Sequence, residues 1–177
     1  MPQSAAEILE RQGAEQLYRV IVGADPAANV ELDIVVPGGV IWIVQSLVVT
    51  FVTDAAVANR NVHLTLDDGT TEYCRVLAIG TQAASLTQIY AWIRDYGTVY
   101  AAGSTRGHVA GMPSFPLLSG HHIRTVTSLR QAGDNYSAPV LYVREYQERG
   151  LAAEIAYEVA QLMRENAQLD AIETGGF

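Results

Sequence analysis

From Leu17 to Tyr146 apolar and polar positions alternate in short runs, each closed by a turn signal. Val30, Leu32 and Ile34 alternate with Glu31 and Asp33, the period-two pattern of a strand with one face in water. Val62, Leu64 and Leu66 alternate with His63 and Thr65. Asp67-Asp68-Gly69 then predicts a hairpin, because Gly69 can take the positive φ that a tight reversal needs. The longest run, 40–53, puts Ile41, Ile43 and Gln45 on one face and Trp42 and Val44 on the other. A strand apolar on both faces belongs at the centre of a sheet, or against a partner.

The pattern predicts eight strands, at 16–23, 30–36, 40–53, 61–66, 71–79, 86–95, 121–131 and 136–146. Ala24-Asp25-Pro26, Pro37-Gly38-Gly39 and Ala132-Gly133-Asp134-Asn135 supply turns between them. Eight antiparallel strands in two sheets make a mainly β, jelly-roll-like sandwich over 16–147. Segment 96–115 is rich in glycine and reads as a long surface loop, with room for a short strand at 98–101. Its Tyr96, Tyr100 and Arg106 are candidate surface contacts.

The flanks read as helix. Ser4 and Glu7 form a capping box ahead of Ile8 and Leu9, so 1–15 is expected to be a short helical arm ended by Gly13. From 148 to 169 the period becomes helical, and 170–177 reads as a flexible tail. Ile155, Val159, Leu162, Asn166 and Leu169 form a short heptad seam, the candidate oligomer interface, with Asn166 at an inner position where a polar side chain selects register. A second stripe of Ala156, Ala160, Met163 and Ala167 equally permits packing on the chain's own sandwich.

Charge and chemistry narrow the function classes. The net charge is −8 and all eleven basic residues are arginine, a poor match to a phosphate backbone, so no nucleic-acid partner is expected. Arginines on or beside strands either pair with the acidic excess or anchor interfaces. The first residues are polar and acidic, unlike a signal peptide, and 40–52 is too short to span a bilayer with a helix, so no membrane partner is expected. Cys74 is the sole cysteine and rules out an intrachain disulfide. His121 and His122 are adjacent, so in a strand they point to opposite faces and cannot share one metal. No nucleophile elbow, zincin helix, phosphate loop or dinucleotide fingerprint occurs. The expectation is a protein with no enzymatic activity, no cofactor and no metal.

Three stretches carry a resemblance: PGGVIWIVQSLVVTFVTDAAVANRNVHLTLDDGTTEYCR, ASLTQIYAW, and FPLLSGHHIRTVTSLRQAGDNYSAPVLYVREY. Proline–glycine, a long apolar strand and Asn-Arg, followed later by an Ala-Gly-Asp turn and a last strand ending in Glu, resemble small β-sandwich virion proteins of tailed bacteriophages. The similarity covers roughly 30–146. It implies a structural protein of the virion, assembled in the host cytoplasm, on the head, neck or tail. Its partners would be copies of itself and capsid, portal or connector, or tail proteins. The alternative is a carbohydrate- or receptor-binding sandwich that uses the 96–115 loop.

Overall fold

A computed structural model of the protein describes residues 16–78, 80–96 and 107–148. Every element among them is a strand, and the strands form two sheets. The larger sheet runs in the order β1 (Gln16–Val22), β11 (Val140–Gln147), β3 (Val40–Val52), β6 (Thr87–Arg94) and β7 (Gly107–Met112). Two short strands, β8 (Pro116–Leu117) and β10 (Asn135–Tyr136), also pair with β3. The smaller sheet runs β2 (Asp33–Val35), β9 (His122–Ser128), β4 (Asn61–Asp67) and β5 (Glu72–Leu77). Numbered by the eight predicted segments, the sheets read 1-8-3-6 and 2-7-4-5. The helices expected at 1–15 and 148–169 and the tail at 170–177 lie outside the described residues, save Glu148.

The core lies between the sheets. Leu47, Phe51, Trp92, Leu141 and Val143 face Val62, Leu64, Leu66 and Ile123. One row crosses the whole larger sheet in register: Ile21, Leu141, Leu47, Trp92 and Ala110. All but the edge residue Ile21 are buried, each such side chain contributing roughly 1.5–3 kcal/mol when large.

Strand β3 is central, as its two apolar faces require, but its alternation breaks. Val44 lies opposite Val143 while Ser46 lies opposite Tyr142, which leaves Gln45 as the extra residue of a bulge. The bulge reverses which parity faces inward. Trp42 and Val44 join the core before it, and Leu47, Val49 and Phe51 join after it. Ile41 and Ile43 are buried on the other side of the sheet.

Four expectations need correction. The sandwich is not wholly antiparallel, since β6 and β7 run parallel. The 96–115 segment is not all loop, because 107–112 is β7, with Ala110 and Met112 in the core. Its glycines serve close backbone approach: a Cβ on Gly111 would lie 2.1 Å from the Tyr96 carbonyl oxygen, and one on Gly107 3.1 Å from that of Ile89. The last predicted strand is split at Ser137-Ala138-Pro139, where proline has no N–H to give a ladder. The 30–36 strand contracts to β2, because the Leu32 N–H turns instead to Thr125 Oγ1 at 3.0 Å.

Candidate interaction face

The core row of the larger sheet defines what its outer face must carry, since side chains alternate sides. One outer row, in register across five strands, is Val22, Val140, Val48, Ala91 and Val109. The next is Val20, Tyr142, Ser46, Ile93 and Gly111. The β1 end of these rows faces water, with Val20 68% exposed, Val22 66%, Val140 42% and Val48 38%, while Ser46, Ala91, Ile93, Val109 and Gly111 are half-buried. Ile89, beside the first row, is also exposed. A solvent face of an antiparallel sheet ordinarily alternates to polar residues, and these rows do not.

The electrostatics of the face are equally one-sided. Neither row holds an acidic residue, although the chain carries a net charge of −8. The Tyr18 and Tyr142 rings stack with centroids 5.7 Å apart, and the Arg144 guanidinium lies 5.5 Å from the Tyr18 centroid. Farther along the same face Ile41, Ile43 and Tyr146 are buried.

The remaining described arginines serve the fold. Arg19 pairs with Glu145 at 3.0 Å, Arg75 with Glu72, Arg94 with Asp95, Arg130 with Glu31, and Arg124 with Asp33 and Asp67. Glu145 also accepts a 3.0 Å hydrogen bond from the Trp42 indole, which joins β1, β11 and β3 through one carboxylate.

The chemistry-bearing side chains are dispersed. His122 Nδ1 lies 2.7 Å from Asp33, whereas His121 Nε2 lies 3.4 Å from the Tyr73 hydroxyl, so the adjacent histidines have separate partners. Among the described residues no three His, Cys, Asp or Glu side chains converge as a metal site. Asp68 sits in the hairpin turn, where the Thr70 hydroxyl and the Thr70 and Thr71 N–H groups hold its carboxyl well below the usual range. Burial pushes the Cys74 thiol up, with Glu72 adding to it, which disfavours the reactive thiolate.

Of the candidate contact residues, Tyr96 is described and exposed, just past the end of β6. Tyr100, Arg106, Ile155, Val159, Leu162, Asn166 and Leu169 lie outside the described residues. The outer rows were not singled out from sequence. A signal was present: Leu17-Tyr18-Arg19-Val20-Ile21-Val22 is apolar at both parities, yet a short strand at a sheet edge has only one face to bury.

No family model matches the chain, and no curated protein matches it. Among solved structures, that of infectious bursal disease virus Gx strain contains a similar chain, with a TM-score of 0.34 and 12% identity. The match covers 76% of this chain and 37% of that one.

Proposed function

We propose that the protein is a non-enzymatic structural subunit of a tailed-phage virion, which self-associates and docks on capsid, neck or tail proteins. The observation that carries the reading is the pair of apolar, acid-free rows on the outer face of the larger sheet. An exposed apolar surface of this kind marks a contact with another protein. Burying it against neighbours also stabilises the subunit by mass action.

The 1-8-3-6 and 2-7-4-5 strand order supports the jelly-roll form of the sandwich. Jelly rolls recur in viral capsid and lectin domains, so the architecture is compatible with the role without assigning it. The phage setting rests on the resemblance of residues 30–146 to virion proteins of that class.

The test is quantitative mass spectrometry of purified particles from the phage that encodes the chain. The expected result is co-purification at a fixed copy number per particle. Absence from washed particles overturns the reading.

A further inference from the structure

A sheet edge exposes a row of unpaired N–H and C=O groups, and proteins blunt such edges with short strands, charges, prolines or bulges. The four edges here are unequal. Strand β2 has three residues and Asp33 tied to Arg124 and His122. Strand β5 presents the exposed Glu72–Arg75 ion pair. Strand β7 is interrupted by Gly107 and Gly111.

Strand β1 is the least protected: its one charge, Arg19, is paired with Glu145 of the neighbouring strand. It pairs with β11 through seven residues without a register shift and holds neither proline nor acid. Among the described residues β11 is its only strand partner. Leu17, Tyr18, Val20 and Val22 are exposed, so β1 overhangs the sandwich with apolar side chains on both faces.

We infer that β1 is a strand-addition edge for a second copy of this chain. Two β1 strands pair antiparallel about a two-fold axis at Val20, and the two larger sheets continue into one. The inference rests on the assembly reading above and specifies the surface.

Self-pairing is what the sequence of the edge fits. With the axis at Val20, Val20 faces its own copy, Tyr18 faces Val22, and Arg19 faces Ile21. Aromatic–β-branched pairs across strands are favourable, and no like charges stand opposite in this register. An axis one residue earlier would set Arg19 against Arg19. The arginine charge is also met within its own subunit by Glu145. The acid-free outer rows of both copies then merge into one apolar face, so the net charge of −8 on each chain is kept from the contact. A symmetric contact that uses the same patch twice closes as a dimer and leaves no further β1 edge to pair.

The experiment uses the full chain and light scattering after size exclusion. Wild type is expected at twice the chain mass, and Val20→Lys combined with Val22→Lys at the monomer mass with unchanged circular dichroism. In a Cys74→Ser background, Val20→Cys is expected to oxidise to a covalent dimer, because directly opposed Cα atoms about 4.5–5.5 Å apart suit a disulfide. Val22→Cys, opposite Tyr18, is expected to do so several-fold less. A monomeric wild type overturns the inference, as does a dimer that the lysine pair leaves intact or faster cross-linking at 22 than at 20. The two proposals fail separately. A chain present in particles whose mass ignores the lysine pair removes only the β1 edge. A β1 dimer absent from particles removes only the virion role.

Discussion

Arg60 grips Asp134 at two points, Nε to Oδ2 and Nη2 to Oδ1, both at 2.9 Å, with both side chains fully buried. Asp54 accepts a further bond from Arg60 at 2.6 Å, and the carbonyls of Ala56 and Ala58 accept two more. The pair ties the entry to β4 to the turn before β10. Removing one partner of a buried ion pair leaves an unmatched charge, at about 3–5 kcal/mol. Asp134→Ala is expected to lose that much in urea denaturation. Arg60→Met with Asp134→Leu should lose clearly less, since neither fully buried charge is left unmatched and Asp54, which loses its Arg60 bond, is partly open to water. A double variant as unstable as the single would show that the cost is shape rather than charge.

The same carboxylate gives the fold an acid limit. Burial pushes the Asp134 carboxyl up, but hydrogen bonds from Arg60 and from the Gln131 and Asp54 N–H groups, with the Arg60 charge, outweigh it and hold it below its ordinary value. A depressed folded-state value means the unfolded chain takes up the proton first. The contribution is therefore complete above the unfolded value of about 3.9 and fades as pH falls toward the folded value. Unfolding free energy measured from pH 6 down to pH 2 should drop below about pH 4 in wild type. The drop should be shallower in Asp134→Asn, and equal slopes would remove Asp134 from the account.

Gly133 is small for a reason outside its own turn. A Cβ there would lie 2.8 Å from the Asp54 Cβ and 3.0 Å from its Oδ2, and the Gly133 N–H donates to that oxygen at 3.1 Å. Gly133→Ala must displace Asp54 and loosen its bond to Arg60. A loss of about 1–3 kcal/mol is expected, as for overpacking elsewhere. Urea denaturation of Gly133→Ala beside Gly38→Ala, whose Cβ would meet only Ser119 Oγ at 3.9 Å, isolates the effect.

These contacts show what the sequence made legible. The Asn-Arg and Ala-Gly-Asp signals stood out at 59–60 and 132–134 as punctuation between strands. That they meet through Arg60 and Asp134 depends on pairing across 74 residues, which no local pattern encodes. The eight principal strands were legible because period-two alternation is local. Strand β7 was not, since its glycines carry a loop signature and act through contact with Ile89 and Tyr96. The outer apolar rows become visible only when register aligns Val22, Val140, Val48, Ala91 and Val109 from five separate segments.

That alignment makes the outer rows separable from folding. Val48 and Val140 are paired neighbours with partly exposed side chains, so changing them removes little core burial. Val48→Asp with Val140→Asp is expected to leave unfolding within about 1 kcal/mol of wild type, allowing for like charges side by side. Under the virion role proposed above, incorporation into particles should fall at least tenfold, as read by complementation of a phage lacking the gene. Normal incorporation would take these rows out of the docking surface.

The bulge at Gln45 makes the sharpest demand on β3. Its side chain lies outside the core cluster, and its Nε2 donates to the Ile43 carbonyl at 3.0 Å. Its structural effect comes from being an extra residue rather than from its chemistry. Deleting Gln45 alone leaves Val44 opposite Val143 and Ser46 opposite Tyr142, so regular alternation is restored and Trp42 and Val44 stay in the core. Deleting Gln45 and Ser46 together joins Val44 to Leu47 instead; with the later half of β3 kept in register, Trp42 and Val44 would turn to the outer face, and Ile41 and Ile43 would turn inward. The indole would then leave Glu145, a buried acceptor. Misplaced core volume and the lost bond together predict a loss of roughly 3–5 kcal/mol for the double deletion, against about 1 kcal/mol for deletion of Gln45 alone, which keeps the core face. Urea denaturation followed by tryptophan fluorescence reads both quantities, because an exposed Trp42 emits further to the red. A single deletion as unstable and as red-shifted as the double would mean that Gln45 is not the extra residue of β3.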